Sequence, residues 1–172
     1  MCIRYSYNTI KDCIVDCENA KTTGYGILIT GGDRNVICNN VIVNTPFNGI
    51  MLYPSVSNTI VDNNKLYDTA EKATQKYQLY IVGTTDKPCN DNIVANNIVK
   101  GDATGATLQY GNKVTLKGNV IVDNSDTSYS IYVAGIETVI FIDNDVNKAP
   151  TYSSNVTNRI VKNNVVNNAF VA

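Results

Sequence analysis

An all-β solenoid of about seven stacked coils is the fold class this sequence predicts. Three observations lead there: a polar pair that recurs at solenoid spacing, two apolar columns in register with it, and a second strand motif between the pairs. The pairs are Asp12-Cys13, Asn39-Asn40, Asn63-Asn64, Asn96-Asn97, Gly118-Asn119, Asp143-Asn144 and Asn163-Asn164, spaced 20 to 33 residues apart. Asn holds the second place in six of the seven, and that place is called the anchor below.

Three residues before the anchors stand Ile10, Ile37, Val61, Val94, Leu116, Phe141 and Val161; two residues after them stand Val15, Ile42, Leu66, Val99, Ile121, Val146 and Val166. Both columns are apolar throughout. A helix would need apolar residues at three- and four-residue spacing over ten or more positions, whereas here short β-branched runs are cut by Asn and Gly, which predicts short strands meeting at a bend. Asn suits the bend because its short amide tolerates a left-handed backbone and bonds peptide groups that the turn leaves unpaired. Stacked bends allow one amide to bond the next, and each buried polar group left unpaired would cost about 1–3 kcal/mol.

Between the bends a second strand recurs as Gly26-Ile27-Leu28-Ile29, Gly49-Ile50-Met51-Leu52, Gln78-Leu79-Tyr80-Ile81 and Ser130-Ile131-Tyr132-Val133, with Gly105-Ala106-Thr107-Leu108 a degraded copy. Period-two alternation sends Ile27/Ile29, Ile50/Leu52, Leu79/Ile81, Ala106/Leu108 and Ile131/Val133 to the core and Leu28, Met51, Tyr80, Thr107 and Tyr132 to an outward stripe.

With these motifs, and with stretches such as Asn58-Thr59-Ile60-Val61-Asp62-Asn63-Asn64-Lys65-Leu66, the chain resembles the right-handed parallel β-helix proteins of the pectate-lyase-like superfamily. The resemblance runs from about Cys2 to Asn168 and implies a single-stranded right-handed parallel β-helix. Its repeat is shared by lyases, hydrolases, epimerases, phage tailspikes and non-catalytic proteins, so it carries the fold and leaves the activity open. It implies an extracellular or virion-associated setting, and a homotrimer if the stripe is covered as in trimeric tailspikes.

The 172 residues are read as one domain, residues 1–172, forming a rod about 30 Å tall at ~4.8 Å per coil. Polar segments at 18–24, 45–49, 69–77, 102–105, 124–129 and 149–157 fall where a solenoid places its variable turns. Both ends read as cut, so a longer parent protein is expected: the Cys2–Tyr5 stretch already resembles the second strand motif, and no capping helix precedes it. Net charge is −1, with 14 Lys and Arg in no cluster, which argues against a nucleic-acid partner. No apolar run suits membrane insertion, and the N-terminus lacks a signal-peptide layout. Five cysteines and no His exclude an ordinary zinc site, and the cysteines are read as buried free thiols.

The stripe of Leu28, Met51, Tyr80, Thr107 and Tyr132, bordered by Tyr25, Phe47, Tyr53, Tyr77, Tyr110 and Tyr129, is the strongest functional signal. Aromatic rings cover the apolar face of a pyranose while phenol and amide groups bond its hydroxyls, so a polysaccharide or oligosaccharide is the expected partner. For catalysis, Asp33, Asp86 and Glu137 follow second strands, and Asp68 and Asp123 share the place four residues after the anchor, two coils and so roughly 10 Å apart. A lyase mechanism would ask for carboxylates around Ca²⁺ and an Arg or Lys as base. Arg34 beside Asp33 is the best local pairing, and the outward oxygens around Asp143-Asn144-Asp145 the nearest approach to a Ca²⁺ turn. No cofactor is required. The absence of His removes the conserved His that the resemblance would place in polygalacturonase-like hydrolases and alginate epimerases. Three readings stay open: a polysaccharide-engaging β-helix, a polysaccharide lyase or glycoside hydrolase, and a non-catalytic structural or oligomerisation module of a tailspike or other surface fibre.

Overall fold

The computed structural model describes residues 2–3, 5–20, 24–70, 77–123, 129–153, 155–166 and 169–171, the side chains of 3 and 169–171 excepted. The expected turns over 69–77 and 124–129 thus lie largely outside the described residues. Those residues form a parallel β-solenoid with no helix.

Each winding lays down three short strands, and strands of successive windings pair in parallel. The first strand in the second winding is Ile27–Ile29, the second Val36–Cys38 and the third Val41–Val43. Third strands stack, from Ile14–Asp16 to Asn164–Val166, in one eight-stranded sheet, which the short Ala169–Val171 strand ends by pairing antiparallel with Asn164–Val166. First and second strands share a 12-stranded sheet, because in the fifth and sixth windings Thr104–Lys117 and Ile131–Ile142 run round the corner between the two faces without a break.

The register is the one the anchors predict. Ile10, Ile37, Val61, Val94, Leu116, Phe141 and Val161 pair in series. So do Val15, Ile42, Leu66, Val99, Ile121, Val146 and Val166. In the interior both columns are buried together with the alternate residues of the first strands, and only Val15, Val161 and Val166 near the ends are partly open. The expected number of about seven coils is corrected to about 5 turns. Seven bends do stack, but the first and last windings have a neighbour on one side only, and their first strands, Cys2–Ile3 and Thr151–Tyr152, are two residues long.

The two residues of each polar pair divide the work. The first member takes the left-handed backbone at all seven bends, with φ between 51° and 65° from Asp12 to Asn163. The second turns inward. Asn40, Asn64, Asn97, Asn119, Asn144 and Asn164 are at most 1 % exposed, and each of the first five donates its Nδ2 to the Oδ1 of the next at 2.8–3.0 Å. The same Oδ1 accepts the backbone N–H of the preceding anchor, beginning with Cys13. The second amide proton goes to a core-strand carbonyl such as Ile37 or Val61.

A second polar file at the opposite corner, which sequence reasoning missed, comprises Asn8, Asn35, Thr59 and Asn92. The Asn8 N–H donates to Asn35 Oδ1 at 2.9 Å and the Thr59 N–H to Asn92 Oδ1 at 3.0 Å. In the fifth and sixth windings Val114 and Val139 occupy this file, because a strand that turns the corner unbroken leaves no peptide group to satisfy. The thiols also depart from expectation: all five are free, but only Cys89 is buried, while Cys2 is exposed and Cys13, Cys17 and Cys38 are half-buried. Cys13 sits at the end of the amide file, Cys2 and Cys17 stand on the first winding, and Cys38 occupies an outward position of a strand whose middle residue, Ile37, is buried.

The ladder predicts a sharp asymmetry within one pair. Asn97→Ala strips acceptors from two Asn64 donors and should cost about 3 kcal/mol or more in urea unfolding. Asn96→Ala should cost about 1 kcal/mol through its left-handed backbone, and Asn96→Gly close to nothing.

Candidate functional site

Stacking brings the outward stripe into one vertical file, Leu28, Met51, Tyr80, Thr107, Tyr132 and then Thr151. The tyrosines extend it sideways. Tyr77 packs on Tyr80 with ring centroids 4.9 Å apart, Tyr129 on Tyr132 at 5.6 Å, and Tyr25 on Phe47 at 5.4 Å. Burial, and then the nearby phenols of Tyr129 and Tyr132, push the Tyr77 hydroxyl above its ordinary pKa. Burial again, followed by Tyr77, Tyr53 and Tyr110, does the same for Tyr80. Six phenols therefore form one field across four windings, and these two stay neutral donors well above physiological pH.

Thr107 departs from its sequence assignment. By alternation it faces outward, but it is fully buried and its Oγ1 has no hydrogen-bond partner. A short side chain between the larger Tyr80 and Tyr132 lies beneath the rings. Leu28 and Met51 are half-buried, while Tyr53 and Tyr110 are 40 % and 41 % exposed.

Beside the field the chain forms a groove of about 540 Å³, lined by Thr84, Thr85, Pro88, Asn90, Tyr110, Gly111, Asn112, Gly135, Glu137, Asn155 and Thr157. Its origin is the length of successive corners. From the last core residue of the first strand to the head of the second, the fourth winding spends residues 82–91, whereas the fifth spends 109–113 and the sixth 134–138. The long turn overhangs the two tight ones. Its return is close-packed: a Cβ on Gly111 would stand 2.1 Å from the Cys89 carbonyl oxygen, and one on Gly83 2.5 Å from that of Tyr110. Tyr110 has a φ of 56°, and its ring lies against Gly135, where a Cβ would meet Cδ1 at 2.9 Å. A non-glycine residue held at that φ carries a cost of about 1–3 kcal/mol that the packing around it offsets.

The five acids named from sequence are dispersed. Of them only Glu137 lines the groove. Asp33 accepts from Asn58 at 2.7 Å and pairs with Arg34 at 3.5 Å, while Arg34 also lies over the Tyr7 ring. Asp86 is exposed at the tip of the 84–87 turn, which is closed by bonds between Thr84 and Lys87. Asp68 is exposed, with a φ of 50°. Asp123 stands two levels away with no exposure, its carboxylate held by Lys148 Nζ at 3.3 Å and the Gly105 N–H at 3.2 Å. Stacking puts Asp68 and Asp123 in one file but turns one outward and the other in. At the Asp143-Asn144-Asp145 bend the Asn144 amide is engaged inside the ladder. Among the described residues no three His, Cys, Asp or Glu side chains cluster as a metal site.

The family described as a right-handed β-helix region matches residues 1–170, and the chain belongs to that family. No curated protein and no solved structure is significantly similar to it.

Sequence reasoning missed Thr84, Asn90, Asn112, Asn155 and Thr157. The signal that would have found them is the change in corner length at the fourth winding, a feature of spacing rather than residue type.

The setting of Asp123 predicts a structural phenotype. Asp123→Asn removes the buried carboxylate that Lys148 Nζ and the Gly105 N–H meet and should lower stability by about 2 kcal/mol, read as a drop in urea midpoint, whereas Asp68→Asn should leave the midpoint within error.

Proposed function

We propose that this chain is a polysaccharide-engaging β-helix that holds a glycan along its flank. The observation that carries the reading is the six-tyrosine field of Tyr53, Tyr77, Tyr80, Tyr110, Tyr129 and Tyr132 running into a groove rich in amides and hydroxyls. Tilted ring pairs with centroids 4.9 and 5.6 Å apart present apolar faces to pyranose rings, and their phenol hydroxyls supply polar contacts along the edge. The dispersal of the acids favours binding over cleavage: a hydrolytic pair must face one bond from two sides, and a single acid lines the groove. An array of oligosaccharides tests the reading. The chain should bind at least one class, Tyr80→Ala and Tyr132→Ala should each weaken that binding about tenfold with the fold retained, and silence across the array would end it.

A second reading, a non-catalytic oligomerisation module of a surface fibre, draws on a different face. Ile60, Ile93 and Ile160, at 38–44 % exposure, share an outward file with Val36, Thr115 and Ile140. A contiguous apolar strip of this kind suits burial against sister chains. Sedimentation should then give a trimer that Ile93→Lys dissociates; a monomer at all concentrations removes this reading without touching the first.

A further inference from the structure

Donor and acceptor geometry in the overhung groove says more about its ligand than the tyrosine field does. Asn90 Oδ1 accepts the Asn112 N–H at 2.9 Å, and Asn155 Oδ1 accepts the Gly135 N–H at 3.1 Å and the Ser153 hydroxyl. A backbone N–H only donates, so both side-chain amides have a settled orientation, with the oxygen engaged and the NH₂ presented as donor. Thr157 Oγ1 donates to the Glu137 carbonyl at 3.1 Å and fixes the backbone there. Among the described residues nothing bonds or pairs with the Glu137 carboxylate, which is exposed. The Tyr110 ring, braced on Gly135, forms the wall next to the Tyr80 phenol. The groove thus offers two fixed amide donors, one unengaged two-oxygen acceptor and an aromatic face.

Charge narrows the class further. Of the eleven lining residues Glu137 alone is charged, and neither Lys nor Arg is among them. The nearby Lys113 is held by Asp91 at 3.7 Å. A uronate, sulfate or phosphate on the ligand would meet a carboxylate with no cation among the lining residues to offset it, which is selection by repulsion. A neutral pyranose meets no such cost, and two adjacent hydroxyls match the two oxygens of one carboxylate.

We infer that the groove beneath the 84–88 turn is a subsite for a neutral sugar unit bearing adjacent hydroxyls, with Glu137 as the acceptor that orients it, Asn90 and Asn155 as donors and Tyr110 as its stacking platform. The inference rests on the glycan reading above. Its volume of about 540 Å³ lies within the ~300–1,000 Å³ range of small-molecule sites.

Titration of the chain with neutral tetrasaccharides (glucan, mannan and galactan) and, in parallel, with tetragalacturonate tests it by the sign of one substitution. Expected is binding of a neutral tetrasaccharide that weakens about tenfold in Glu137→Gln and to a similar degree in Tyr110→Ala, with unchanged circular dichroism. Two outcomes would overturn the subsite while leaving glycan binding intact. One is binding of the uronate that strengthens in Glu137→Gln; the other is neutral binding that responds to Tyr80→Ala but not to Glu137→Gln or Tyr110→Ala. Failure of every tetrasaccharide and of the wider array overturns the glycan reading and the subsite with it.

Discussion

Every surface feature of this molecule depends on a line of six buried asparagine amides. From Asn64 onward each Oδ1 receives two protons, one from the backbone and one from the side chain of the winding before it, while Asn40 Oδ1 receives the Cys13 N–H. The amide bonds therefore all run one way along the rod, and aligned bonds of this kind polarise one another. A winding displaced by one residue would bury unpaired donors at about 1–3 kcal/mol apiece and turn its core residues outward. The ladder therefore holds each bend to its neighbours while the connecting segments vary from 20 to 33 residues per repeat.

That freedom generates the candidate site. Where the corner between first and second strands is short and unbroken, Val114 and Val139 fill the inner file; where it lengthens, Asn92 returns to satisfy the turn. The long corner of the fourth winding turns its own Cys89 into the core, but its tip, Thr85 to Lys87, stays exposed and does not follow. It projects over the fifth and sixth windings instead, and the recess so made is walled by residues far apart in the chain, from Thr84 to Thr157.

The two outward faces differ in kind. One carries tyrosines whose rings contact one another and whose hydroxyls lie at their edges; the other carries a file of β-branched residues with no polar atom beyond the threonines. Rings with polar edges suit a ligand that is itself half apolar and half hydroxylated, whereas a bare aliphatic strip suits another protein surface. A rod can hold both because opposite sides of a strand, and different strands of a winding, face different directions.

The fold was legible in the sequence because the forces that set it repeat locally: apolar residues three before and two after each anchor, and an Asn at the anchor itself, are enough to define strand, bend and register. The inward Asn column and the core files were readable in the same way. Exposure of individual stripe and acid residues was not. Thr107 is buried because its neighbours above and below are tyrosines, and Asp123 turns inward because Lys148 and the Gly105 N–H meet it there. Such outcomes depend on residues 18 to 27 positions away that only stacking brings into contact. By itself the sequence determined a register-locked β-helix with a tyrosine-rich flank, since periodic burial leaves a periodic record. Tertiary structure alone decided where that flank opens into a groove and which acid it presents, because the overhang of one turn on the next follows from unequal corner lengths and leaves no period to read.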